Sequence, residues 1–125
     1  MRTPLILLAT LTLFIVMVAL VPRVPRAATW DGEEIGRVRQ IEIDEKGQFS
    51  VRLVGTPAPA LCSSAADPTG AAVLVGNLGV TTDGVRSMLA VAISAQLGDK
   101  RIQVFAKNNP SGPVCQAGAM RLLGE

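Results

Sequence analysis

Hydrophobic and polar residues alternate most strictly around Phe49, Val51 and Leu53, which are separated by polar side chains. A period of two is typical of a strand that buries one face. Residues 37–43 predict a preceding strand, and a polar turn ending at Gly47 separates the two. Because glycine suits the left-handed position of a tight turn, the two strands are predicted to form a hairpin.

The period lengthens to three or four residues between Thr82 and Gly98, which predicts one amphipathic helix over residues 83–97. Thr82 is a suitable N-cap, Asp83 favours the positive end of the helix dipole, and Gly98 marks the C-terminal end. The stripe expected to pack on a sheet comprises Val85, Met88, Leu89, Ala92, Ile93, Gln96 and Leu97.

Three further strands complete the predicted order of elements. Residues 55–70 are rich in Pro, Ala and Ser and predict a long loop, after which residues 71–75 form a short apolar strand. Strands are also predicted at 101–106 and 117–123, separated by a turn at 107–113. The order β-β-β-α-β-β indicates a mainly β protein with one helix, either a five-stranded OB-like barrel or an α+β sandwich.

The beginning of the chain is typical of an export leader. Residues 5–21 are an apolar run of 17 residues broken only by two threonines, preceded by Arg2 and followed by Ala27 and Ala28. We expect residues 1–28 to be a cleaved signal peptide. A retained anchor is an alternative, since about 20 apolar residues normally span a bilayer, and a buried core helix is a third. Residues 29–36 then form a polar lead-in and 37–125 a single domain.

The charge balance changes when the leader is set aside. The chain has 12 Lys and Arg against 10 Asp and Glu, but three of the arginines precede residue 29. Residues 29–125 therefore carry nine cations and ten anions, a net charge of −1. Nucleic-acid binding normally needs a clustered basic face, so we expect no nucleic-acid partner.

The chain has two cysteines, Cys62 and Cys115, and no histidine. A disulfide between them would close a loop of about 54 residues and stabilise the fold by about 4 kcal/mol through chain entropy. Free thiols and a redox pair are alternatives, although redox pairs usually have the spacing C-x-x-C. Two cysteines without histidine are too few ligands for the usual zinc site, so we expect no metal and no cofactor.

Nothing in the composition favours catalysis. Histidine, the commonest general base, is absent, and no glycine-rich phosphate loop occurs. The carboxylates cluster at residues 31–34 and 42–45, beside the lead-in and a hairpin turn, where solvated charge is the simpler explanation. We therefore expect a protein that is not an enzyme.

Four stretches carry a resemblance to known proteins: Val38-Arg-Gln-Ile-Glu-Ile43, Phe49-Ser-Val-Arg-Leu53, the helix beginning Thr81-Thr-Asp-Gly, and Gln96-Leu-Gly-Asp-Lys-Arg-Ile-Gln-Val104. Together with Cys62 and Cys115 they resemble small exported bacterial proteins of uncharacterised function. More distantly, the pattern is similar to the B subunits of subtilase-type and pertussis-like AB toxins. That resemblance implies an OB-type fold, assembly as pentamers and glycan binding.

The candidate ligand-binding residues are Ser63 and Ser64 in the long loop and Asn108 and Asn109 in the last turn. Ordinary loop and turn chemistry is the simpler explanation for all four. We expect an exported binding or interaction module, periplasmic or extracellular, with an unidentified protein or glycan as partner and a homo-oligomer as one assembly. The alternative is an accessory or structural protein of the cell envelope, anchored in the inner membrane by residues 5–21 and facing the periplasm.

The intact mass of the exported protein tests both the leader and the cysteines. We expect a mass that lacks residues 1–28 and is two hydrogens lighter than the fully reduced chain. The full-length mass would instead establish the anchored form, and two titratable thiols in the native protein would contradict the disulfide.

Overall fold

A computed structural model of the chain describes residues 29–109 and 112–124. Residues 1–28, for which a signal peptide, an anchor or a core helix was considered, lie outside the described residues. The elements are β1 (Gly32–Ile43), β2 (Phe49–Val54), β3 (Asp67–Val73), a 3-10 turn (Asn77–Gly79), α1 (Thr82–Leu97), β4 (Arg101–Lys107) and β5 (Val114–Leu122).

The five strands form a closed barrel in the order β1-β2-β3-β5-β4. All neighbouring pairs are antiparallel except β3 and β5, which run parallel. With one helix between β3 and β4, the protein is mainly β and has an OB-like topology. The predicted order of elements is confirmed, and the barrel closes instead of opening into a sandwich.

Strand β1 begins at Gly32, five residues before the predicted start at Arg37. Its first half pairs with β4 and its second half with β2, and the register shifts between Val38 and Gln40. Such an irregularity bends a strand and increases its local twist. The sequence prediction missed the first half because Gly32–Gly36, part of the predicted lead-in, has few hydrophobic residues, and pairing with distant β4 defines it.

Strands β3 and β5 also begin earlier than predicted, at Asp67 instead of 71 and at Val114 instead of 117. Pro68 suggested a loop, but its carbonyl accepts a hydrogen bond from the Leu61 N–H at 2.8 Å. The parallel pairing of Ala71 with Cys115 then extends both strands. The loop after β2 is therefore shorter than the predicted 55–70 and ends before Asp67.

Helix α1 differs from its prediction in its N-cap and in its buried face. Thr81, not Thr82, is the N-cap, and its hydroxyl accepts a hydrogen bond from the Gly84 N–H at 3.0 Å. Leu97 from the predicted stripe is 84% exposed. Two alanines on the inward face, Ala92 and Ala95, allow close packing on the barrel. The buried residues of the helix are Val85, Met88, Ala92 and Ala95.

The core fills the barrel with mostly aliphatic side chains and Phe49, and it receives Leu61 from the loop after β2. Leu61 is completely buried, and the next residue, Cys62, forms a disulfide with Cys115 of β5. The predicted disulfide is therefore present, with the two Cα atoms 6.0 Å apart. It holds the loop that brings Leu61 into the core.

No helix within residues 29–109 and 112–124 has the length and apolar character needed to cross a membrane.

Replacing Gly32 by alanine should destabilise the fold, because a Cβ there would overlap the backbone carbonyl of Leu61. Overpacking of this kind costs about 1–3 kcal/mol, which urea unfolding would measure. Gly124→Ala is the matched control, since nothing lies within 4 Å of a Cβ at that position. Equal unfolding midpoints for the two variants would contradict the close contact.

Candidate functional site

A surface cleft lies where β2 leaves β1. Arg37 is the first residue of β1 that pairs with β2, opposite Val54, and the last that pairs with β4, opposite Arg101. Because Gly36 and Val38 point into the barrel and are buried, the alternation of a strand directs Arg37 outwards. Three strands thus bring Arg37, Val54 and Arg101 to one point on the outer surface.

The cleft has a volume of about 740 Å³, larger than two other surface depressions of about 300 and 180 Å³. Among its lining residues, Ile35 is 45% exposed and Val54 is 47% exposed, so neither is needed to fill the core. We call this surface the arginine cleft. Its lining residues are Ile35, Gly36, Arg37, Val54, Gly55, Thr56 and Arg101.

The electrostatics of the arginine cleft are unbalanced. Like charges directly opposite each other on adjacent strands destabilise a sheet, and Arg37 and Arg101 have this relation. The one carboxylate paired with either of them among the described residues is Asp99, whose Oδ2 lies 3.5 Å from the Arg37 Nη1. Both side chains are more than half exposed, so solvent screens this ion pair.

Arg39 extends the positive charge into a neighbouring depression that shares Val54 and Gly55 with the arginine cleft. No ion pair or side-chain hydrogen bond involves the Arg39 or Arg101 guanidinium within the described part of the chain. Three of the nine cations in residues 29–125 therefore surround one surface region. The sequence predicted no basic face, and the fold creates a small one from a near-neutral chain.

Arg52, which also borders the second depression, has structural partners. Its guanidinium donates to Asp67 at 2.8 Å and to Glu42 at 3.0 Å, which joins β2 to β3 and β1. Hydrogen bonds from the Thr69 hydroxyl, and then from Arg52, hold the pKa of Asp67 below its ordinary value. Arg52 therefore stabilises the fold through two carboxylates on neighbouring strands, in contrast to Arg37 and Arg101.

The four candidate residues from the sequence lie elsewhere. Ser63 and Ser64 are exposed in the loop that follows Cys62. The Asn108 N–H donates to the Asp31 carboxylate at 2.9 Å, and the Asn109 carbonyl accepts from the Gly112 N–H at 3.4 Å. None of the four lines the arginine cleft.

Sequence reasoning missed the residues of the arginine cleft. Strand alternation was a usable signal for the outward direction of Arg37 and Arg101, and hydrophobic Ile35 and Val54 at outward positions were a second one. Their convergence depends on pairing β1 with β4, which are separated in the chain by β2, β3 and the helix. No local pattern specifies that pairing.

A second surface feature consists of aromatic residues. The Trp30 ring lies 6.1 Å from the Phe105 ring, and the Arg121 guanidinium lies 5.9 Å from the Phe105 centroid. A Cβ on Gly118 would overlap the Trp30 ring, so this glycine lets the indole lie directly on β5. The cluster holds the residues before β1 against the barrel and leaves both rings partly exposed.

The carboxylates of the described residues do not assemble into a metal site. No group of three or more Cys, Asp and Glu side chains within residues 29–109 and 112–124 is placed to hold a metal ion. Asp31 accepts from the Asn108 N–H, and Glu33 accepts from the Gln103 side chain. These two acidic residues therefore have hydrogen-bond partners in the fold.

Fold and surface together define a disulfide-linked OB-like barrel with a cationic cleft on its outer face. Comparison with known proteins finds no protein family, no curated protein and no solved structure that matches the chain.

The stability of the protein should depend on the ionisation of Asp67. Because its folded pKa is lowered, the carboxylate contributes stability above the ordinary value of 3.8, and this contribution is lost as pH falls through the lowered value. Asp67→Asn should lower stability near neutral pH and flatten its acid dependence. Urea midpoints measured from neutral to acidic pH would show this.

Glu45→Gln is the control for this prediction, because Glu45 lies exposed in the hairpin turn with no bond to Arg52 or Thr69. It should retain the acid dependence of the unaltered protein. An unchanged slope for Asp67→Asn would show that the bonds from Thr69 and Arg52 do not contribute to the pH dependence of stability.

Proposed function

We propose that this protein is an exported, non-enzymatic binding module whose ligand occupies the arginine cleft. One observation carries the proposal: Arg37 and Arg101 face each other across β1 and β4 beside exposed Ile35 and Val54. Four side chains that contribute nothing to the buried core converge on one concave surface. Exposed hydrophobic residues beside convergent polar groups are typical of ligand-binding surfaces.

The chemistry of the cleft supports binding over catalysis. Arginine stays protonated at any pH at which a protein is folded, so it does not act as a general base. The remaining polar side chain in the lining is the Thr56 hydroxyl, and a threonine nucleophile needs a base beside it. These groups can orient and neutralise a ligand, which is what a binding module requires.

The disulfide supports export. Disulfides persist in oxidising compartments and are rare in the cytosol, and the Cys62–Cys115 bond is buried. In the free form the protein is released after residue 28, whereas in the anchored form residues 5–21 keep it at the inner membrane. The arginine cleft serves the same binding role in both forms.

Glycan binding of the toxin-B-subunit kind is the second candidate, and the aromatic cluster favours it. Trp30 and Phe105 supply ring surface, and Arg121 and Gln103 supply hydrogen-bond donors on the same outer face. Glycan-array binding that Trp30→Ala abolishes would favour this candidate over the arginine cleft. Native mass spectrometry would then test for the pentamer that the resemblance implies.

A photoreactive amino acid placed at position 54 in the exported protein tests the arginine cleft directly. We expect a discrete cross-linked product in the producing cells, because the Val54 side chain is exposed inside the cleft. The mass of the product gives the chemical class of the ligand. The same amino acid at position 86 is the control, since Arg86 is exposed on α1, away from the cleft.

The control position should give no discrete product. If position 54 also gives none, or if both positions give the same one, the arginine cleft is not the binding surface. Circular dichroism of both variants would establish that each retains the fold.

A further inference from the structure

We infer that the arginine cleft recognises a carboxylate group in an acidic peptide segment of a protein partner. The inference rests on the proposed binding function and names the chemistry of the ligand. Its basis is the cross-strand arginine pair, the exposed aliphatic side chains beside it, and the weakly held carboxylate of Asp99.

The spacing of the two arginines suits a single carboxylate. Residues directly opposite on antiparallel strands have Cα atoms about 4.5–5.5 Å apart, so both guanidinium groups can reach one carboxylate from adjacent backbone positions. Arginine binds carboxylates through two parallel N–H···O bonds, which adds direction to the charge attraction. A bound carboxylate would also relieve the repulsion between Arg37 and Arg101.

Asp99 fills part of this role in the protein without a partner. Its carboxylate lies 3.5 Å from Arg37, and it occupies the left-handed region with φ of 50°, in the joint between α1 and β4. The contact is longer than a charge-assisted hydrogen bond, which is about 2.7–2.9 Å. Arg37 is therefore only loosely held, and a partner carboxylate can replace Asp99.

The remaining lining favours a peptide over other anionic ligands. Ile35 and Val54 provide aliphatic contact beside the charges, which matches the alternation of acidic and apolar side chains in an extended peptide. Single-stranded nucleic acids usually stack their bases on aromatic rings and follow a long basic groove. The arginine cleft has two arginines and no aromatic side chain, so its chemistry fits one carboxylate with apolar neighbours.

The test uses the protein expressed from the full chain with its own leader and purified from the exported fraction. The probe is a blocked Asp-Leu-Asp-Leu peptide, titrated to about 10 mM while amide resonances are recorded by NMR at low salt. We expect shifts concentrated at residues 35–37, 54–56 and 99–103. The blocked Asn-Leu-Asn-Leu peptide, which keeps the shape and lacks the charge, should give none.

Variants assign the contacts. Arg37→Gln and Arg101→Gln should each raise the Kd about tenfold or more, as expected for loss of a hydrogen bond to a charged group. Asp99→Asn should lower the Kd, because it removes the competing carboxylate. Arg86→Gln should leave the Kd unchanged, since Arg86 contacts Asp83 on α1 and lies away from the cleft.

Several outcomes would overturn the inference: no shifts with the acidic peptide, equal shifts with the amide peptide, or an unchanged Kd in both cleft variants. Tighter binding of an oligothymidylate through the same residues would assign the cleft to nucleic acid instead. A cross-linked product at position 54 without peptide binding would support the binding function and contradict a carboxylate as the ligand. If neither the cross-linking nor the peptide titration detects binding, the proposed binding function of the arginine cleft is contradicted.

Discussion

The fold depends on β1 pairing with two different strands. Its first half bonds to β4 and its second half to β2, with a register shift after Val38, and this closes a five-stranded sheet into a barrel. Without that closure the inner faces of β2 and β4 would not surround one core. Val51 of β2 and Val104 of β4 are both completely buried as a result. A strand that bonds on both sides also fixes which side chains meet on the outer surface.

A barrel of this size buries limited hydrophobic surface, and the chain compensates with its loop after β2. Leu61 enters the core from that loop, and Gly32 lets the Leu61 carbonyl approach the start of β1. The Cys62–Cys115 disulfide fixes the same loop to β5. Small domains commonly use disulfides in this way, because their cores supply little stability.

The arginine cleft is a consequence of the same closure. Strand β1 brings Arg37 opposite Arg101 on one side and opposite Val54 on the other, and β2 leaves the sheet at that point. Residues 29–125, whose net charge is near zero, thereby acquire a local excess of positive charge. Arg52 shows the alternative fate of an outward arginine, because Glu42 and Asp67 neutralise it and tie three strands together. Arg101, by contrast, has no carboxylate partner among the described residues.

The amino-acid sequence by itself determined the order of strands and helix, because alternation and helical periodicity are local properties. It also predicted the disulfide, because the two cysteines have neither the histidine ligands of a metal site nor the C-x-x-C spacing of a redox pair. The tertiary structure alone decided the closure of the barrel, the additional length of β1, β3 and β5, and the buried face of α1. The tertiary structure also determined the position of the arginine cleft, since Arg37 and Arg101 meet only because β1 pairs with β4, which is far away in the chain. Local periodicity specifies how each segment is built, whereas contacts over long sequence separations specify which side chains share a surface.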